Sequence, residues 1–162
     1  MARSGIGFLA AAIILMLDQL TKHMVLVQLG EPVSVTSFLN LVLVWNRGVS
    51  FGMLGGLGAY APWLLVGFAL AISLALMIWL TREVRLVTRI ALGLVLGGAI
   101  GNAIDRIRFG AVVDFLDFHA LGYHWPAFNV ADSAIVVGAA LLVLEGLRGS
   151  GPVADEARGH SS

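Results

Sequence analysis

The sequence predicts an all-α polytopic membrane protein: four transmembrane helices with a small extracytoplasmic β-rich segment. Three observations predict it. Apolar residues make up 59% of the 162-residue chain and charged residues only 12%, about half the roughly 25% of a soluble domain. Four apolar runs approach or exceed the ~20 residues that a helix needs to cross the hydrocarbon layer. Between the first two runs the pattern changes to short β-prone stretches broken by Gly and Asn. At this length there is room for one domain, residues 1–148, and a charged Gly/Ser-rich tail, 149–162, expected to be a disordered cytoplasmic extension. Zero formal net charge gives no electrostatic footprint for nucleic acid. The absence of cysteine excludes disulfides, thiol nucleophiles and thiolate metal sites.

The first span is expected over 6–29. With Arg3 before it, its apolar start has the look of a signal peptide, but no small-x-small cleavage site follows and the apolar run resumes at Met24. An uncleaved span fits better. Asp18, Thr21 and Lys22 stand at i, i+3 and i+4 and share one face. That face reads equally as a self-neutralising pair between helices or as the polar wall of a site.

Residues 30–60 are less continuously apolar. Val33–Thr36 alternates as a half-buried strand does, and Leu39–Trp45 is β-prone. The run Asn46-Arg47-Gly48-Val49-Ser50-Phe51-Gly52 gives a polar turn, and Gly55, Gly56 and Gly58 mark loose backbone. Asn46 beside Gly suits a turn, and its amide also suits a peptide substrate.

The second span is expected over 61–80, with Trp63 and Trp79 near its ends as an aromatic belt. Arg82, Arg85 and Arg89 follow, opposed only by Glu83, and mark the cytoplasmic side. Four spans then put both termini inside, where Arg3, Arg148 and Arg158 agree; Lys22, Arg47, Arg106 and Arg108 fall outside.

The third span, 90–107, carries Gly93, Gly97 and Gly101 every four residues, a spacing that lets another helix approach closely. Asn102, Asp105 and Arg106 repeat the i, i+3, i+4 spacing, and Asp105 with Arg106 reads as a structural ion pair. An outer loop, 108–127, holds Asp114, Asp117, His119 and His124. Their spacing matches no familiar zinc ligand set, and no metal or other cofactor is expected. The fourth span, 128–147, carries Asn129 and Asp132 near its outer end.

All the polar constellations therefore fall toward one leaflet, the outer one. Ionisable groups in a membrane are costly and usually functional. Two acids in a poorly hydrated cleft share a proton, giving a general base and a general acid that can activate water against a peptide carbonyl. Asp114 and Asp132 are the candidate pair. The bland alternative is a loop acid and an acid favoured by a helix N-terminus. A proton-coupled transporter is the rival class, but it needs polar residues through the full membrane depth, and the second span has little besides Ser73.

In order along the chain stand Asp18-x-x-Thr21-Lys22, Asn46-x-Gly48-x-Ser50-Phe51, Gly97-Gly98-Ala99-Ile100-Gly101-Asn102-x-x-Asp105-Arg106, Val112-Val113-Asp114-Phe115 and Phe128-Asn129-x-Ala131-Asp132-Ser133. Together they resemble the bacterial lipoprotein signal peptidase (signal peptidase II) family over roughly residues 6–148. The resemblance implies a four-helix aspartyl endopeptidase of the cytoplasmic (inner) membrane, with its site toward the periplasmic face. It implies removal of the signal peptide from diacylglyceryl-modified prolipoproteins, cutting before the lipidated cysteine. The aspartate pair maps onto Asp114 and Asp132. Asn46, Arg106 and Asn129 map near substrate, Asp18 and Lys22 support the site, and Asn102 and Asp105 belong to the same motif. Globomycin-type inhibitors occupy the same cleft in that family.

Overall fold

The computed structural model describes residues 5–48 and 60–149. Four helices, each long and apolar enough to cross a membrane, form the body: α1 Gly5–Gln28, α2 Ala61–Arg82, α3 Leu86–Phe109 and α4 Val130–Gly149. The fold is the expected one. Arg3, the turn beyond Gly48 with its following glycines, and the tail from Ser150 lie outside the described residues.

α3 is the central helix. In its most apolar stretch 61% of residues are buried, against 22% or less in each of the others, and it packs against α1, α2 and α4. Small residues make this possible. A methyl group at Gly97 would lie 2.5 Å from the Ala11 carbonyl oxygen of α1, and one at Gly98 would lie 2.5 Å from the Ala131 carbonyl oxygen of α4. Without side chains there, backbones meet at distances that a Cβ forbids. The outward faces of α1 and α2 stay apolar and exposed, as at Leu9, Met16, Phe68 and Leu74, which suits lipid as the solvent. Trp63 and Trp79 are exposed near the two ends of α2.

The short connection between α2 and α3 is fixed by Glu83. Its carboxylate accepts the N–H groups of Val84 and Arg85, both at 2.9 Å, and the indole N–H of Trp79 at 3.1 Å. These bonds, the Arg85 N–H first, hold Glu83 below the usual carboxylate range.

A four-stranded antiparallel sheet in the order β1-β2-β3-β4 lies at the other end of α3. It comprises β1 Val33–Thr36, β2 Leu39–Asn46, β3 Val112–Ala120 and β4 Tyr123–His124. The first two strands lie where the sequence places them, but β1 is exposed along its whole length rather than half-buried by alternation. The segment 108–127, expected as a loop, instead supplies β3 and β4. Gly110 explains the abrupt change: it ends α3 in the left-handed region at φ 70, with its N–H on the Arg106 carbonyl. Val112-Val113 then enters a strand whose register sets Asn46 opposite Val112 and Val44 opposite Asp114.

Candidate active site

Asp114 and Asp132 reach the site from different elements. Asp132 is in the first turn of α4, where Asn129 is the cap: Asn129 Oδ1 accepts the Asp132 N–H at 2.9 Å, and the Asp132 carboxylate accepts the Asn129 N–H at 3.3 Å. This reciprocal pairing has the geometry of a capping box. Asp114 projects from β3, 1% exposed. Its Oδ1 accepts Asn129 Nδ2 at 2.7 Å and its Oδ2 accepts Asn46 Nδ2 at 2.9 Å. Asn129 thus touches both acids. Asn102 Nδ2 donates to Asp132 Oδ1 at 2.8 Å. Among the described residues each of the four carboxyl oxygens has one N–H donor. Burial chiefly, with the negative charge of Asp132 adding to it, pushes Asp114 up to about 6 although Asn46 and Asn129 oppose the shift.

Behind the pair lies a buried ionic cluster. Lys22 Nζ is 2.8 Å from Asp18 Oδ2, 2.8 Å from Asp105 Oδ2 and 3.0 Å from Asn102 Oδ1. Three donors meet three acceptors, which is what a buried ammonium requires. Asp18 Oδ1 accepts the Ala131 N–H of α4 at 3.0 Å, and Asp105 Oδ2 accepts the Val113 N–H of β3 at 3.1 Å. The cluster therefore ties α1 and α3 to the two elements that carry Asp132 and Asp114. The Asp18–Lys22 pair is self-neutralising, and it lies behind Asn102, which donates to Asp132. Thr21 turns away, its Oγ1 donating to the Leu17 and Asp18 carbonyls of its own helix.

One reading is corrected. Asp105 does not pair with Arg106; its cation is Lys22. Adjacent helix residues diverge by about 100° and do not face each other. Arg106 makes no ion pair with Asp105; its Nη1 is on the Asn102 carbonyl at 3.3 Å, and its charge acts on Asp132 and Asp114 ahead of Asp105.

Asp117 is separate from the pair. On a strand, residues three apart lie on opposite faces, and Asp117 is held by Asn40 Nδ2 at 3.1 Å and His124 Nδ1 at 2.9 Å. The His124 bond is the first cause holding its carboxyl below the usual range. Gln19 escaped the sequence reading. Its Nε2 contacts Asp18, Asp105 and the Gly101 carbonyl at 3.1–3.3 Å. The signal for it was present: an amide inside an apolar span, next to an acid.

A cavity of about 320 Å³ opens between α2, α3 and α4 beside this site. Leu65, Phe68 and Ile72 of α2 and Ile135 of α4 make its apolar walls, and Asn102 and Arg106 lie at its polar side. Arg106 Nε is buried without a partner among the described residues.

A profile of the family described as Signal peptidase (SPase) II matches residues 10–148. The chain belongs to the signal peptidase II family. It is 48% identical over 138 residues to the lipoprotein signal peptidase of Ralstonia nicotianae, covering 83% of this chain and 79% of that one. It is 45% identical over 149 residues to that of Methylobacterium radiotolerans, covering 90% and 87%. Its fold matches that of a bacterial membrane enzyme solved by the in meso method at 2.3 Å, with TM-score 0.79, 29% identity and coverage of 98% and 95%. A second such enzyme, solved at 1.9 Å, matches at TM-score 0.79 and 32% identity, covering 89% and 94%. As a signal peptidase II, the protein is a membrane-embedded protease.

Proposed function

We propose that this signal peptidase II is an aspartyl endopeptidase that removes the signal peptide from diacylglyceryl-modified prolipoproteins, cutting before the lipidated cysteine. One observation carries the reading. Asp114, buried, and Asp132, half-buried, come from separate elements, and both carboxylates accept from Asn129, Asp114 from its side-chain amide and Asp132 from its backbone N–H, beside a cavity that opens between apolar helix faces. The negative charge of Asp132 opposes ionisation of Asp114, and a pair holding one proton performs both halves of amide hydrolysis.

The chemistry follows. The ionised acid takes a proton from water as the water oxygen bonds to the scissile carbonyl carbon. The protonated acid gives its proton to the carbonyl oxygen, forming a neutral gem-diol. On collapse the first acid returns a proton to the departing nitrogen, the C–N bond breaks, and the second acid recovers a proton from a diol hydroxyl. The pair ends as it began.

The signal helix enters sideways between α2 and α4, its lipid chains staying in the bilayer. The Arg106 Nε–H, unpaired among the described residues, binds a carbonyl or ester oxygen of the substrate, since a buried donor left empty is costly. Globomycin-type inhibitors would occupy the same cavity. The protein is assigned to the bacterial cytoplasmic (inner) membrane, with the pair and the sheet toward the periplasm and the arginine-rich α2–α3 connection in the cytoplasm.

The experiment is incubation of purified protein in lipid with one prolipoprotein in lipidated and unlipidated forms. Cleavage of the lipidated form before the modified cysteine is expected. Equal cleavage of both forms would remove the lipid from substrate recognition.

A further inference from the structure

Three asparagines donate to the acid pair, and an asparagine end is either donor or acceptor according to what stands behind it. Asn46 Oδ1 accepts the Gly48 N–H at 2.8 Å, and Asn129 Oδ1 accepts the Asp132 N–H at 2.9 Å. Both of those donors are neutral backbone groups. Asn102 differs. Its Oδ1 faces the Lys22 ammonium at 3.0 Å, and an ammonium accepts nothing, so the oxygen must point there. Its Nδ2 is therefore aimed at Asp132 Oδ1, at 2.8 Å. A charge at one end of the amide strengthens the N–H at the other.

We propose, resting on the aspartyl-peptidase reading, that Lys22 is a positioning residue that sets the order of protonation in the pair: by pinning Asn102 it makes Asp132 the carboxylate that takes the proton from water, and leaves Asp114 as the acid that protonates the carbonyl oxygen. Lys22 is 2% exposed, and its three N–H bonds are filled by Asp18, Asp105 and Asn102. It acts through Asn102.

Charge alone does not choose between the acids, because Lys22 also favours the ionised form of Asp114 directly; the choice rests on the bonds. α1 contributes Asp18 and Lys22, α3 contributes Asp105 and Arg106, and α2 contributes none near the cavity. Asp132 has further anion-stabilising features: it sits in the first turn of α4, where the helix dipole favours a negative charge, and its Oδ2 accepts the Asn129 N–H. Asp114 comes from a strand, with only side-chain amides at its oxygens among the described residues.

Removing Lys22 alone would leave Asp18 and Asp105 buried without their cation, which threatens the fold. Lys22→Met/Asp105→Asn keeps the cluster's net charge and deletes the donor behind Asn102. The first readout is the pH dependence of kcat and kcat/KM on a lipidated prolipoprotein, with KM and melting temperature alongside. The expected result is an acid limb moved up by about one pH unit, with kcat reduced and KM held. An unmoved acid limb in the active double variant overturns the role of Lys22, even if the melting temperature falls.

The second readout needs neither turnover nor the double variant. Carboxyl-carbon NMR of aspartate-labelled wild-type protein, assigned by the signals lost in Asp114→Asn and Asp132→Asn, should show Asp132 ionising at lower pH than Asp114. The reverse order overturns the proposal. A wild-type protein that cleaves no lipidated prolipoprotein would instead overturn the peptidase reading, and the NMR order would still be measurable.

Discussion

Asn129 and Asp132 cap each other across the first turn of α4, and the same Asn129 side chain that accepts the Asp132 N–H donates to Asp114 at 2.7 Å. A helix cap and an acid pair are thus built from one set of bonds. The carboxylate of Asp132 cannot rotate freely without breaking the start of its helix. This is preorganisation by secondary structure.

Asn129→Asp separates the two roles. Asp caps helices about as well as Asn, so stability should change by less than about 1 kcal/mol from the cap itself. The new carboxylate faces Asp114 where an N–H stood, so activity should fall about a hundredfold or more. Thermal unfolding and cleavage rate measured on one preparation check both halves.

Gly101→Leu should lose stability and activity together. A methyl group there would already lie 2.5 Å from Asp18 Oδ2, and that carboxylate holds Lys22 and the Ala131 N–H. Overpacking of this kind costs about 1–3 kcal/mol. A variant with wild-type melting temperature and rate would show that the close approach of α1 and α3 is dispensable.

Asp114 should impose a pH dependence on stability. Its folded pKa of about 6 lies above the ordinary carboxyl value of 3.8, so the native state binds the proton more tightly than the unfolded state does. The native state therefore gains from protonation: stability is highest below 3.8 and falls as pH rises to about 6. The difference corresponds to about 3 kcal/mol at neutral pH. Melting temperature followed across that titration, from about pH 4 to 7, should decline less steeply in Asp114→Asn than in the wild type. Parallel curves would contradict the burial argument.

The spans were legible because apolar length and the Gly93, Gly97, Gly101 period carry their own physics. So was the grouping of Asn102, Asp105, Asp114 and Asp132, since acids in apolar surroundings need a reason. The partnerships were less legible. Asp105 takes Lys22 from α1 rather than its neighbour Arg106, a choice set by which faces of α1 and α3 meet. Strand β3 was missed because its acids and histidines gave a polar loop signature, while its pairing with β2 is a long-range fact that no local pattern contains. Asn40 and His124 hold Asp117 only once that pairing exists.

The orientation rests on Arg82, Arg85 and Arg89. A cysteine placed at Val84, which is exposed, should react with an impermeant thiol reagent only after the membrane is opened. Labelling of intact cells at that position would invert the topology and put the acid pair on the cytoplasmic face.

The central claim is that Asp114 and Asp132 work as one unit. The measurement is the cleavage rate of a lipidated prolipoprotein by Asp114→Asn, Asp132→Asn and the double variant, with Asp117→Asn as the control and folding checked for each. Residues acting as a unit lose their effect together, so both single variants should be inactive, the double no worse, and Asp117→Asn substantially active. Near-normal cleavage by a well-folded Asp114→Asn or Asp132→Asn protein would contradict the account.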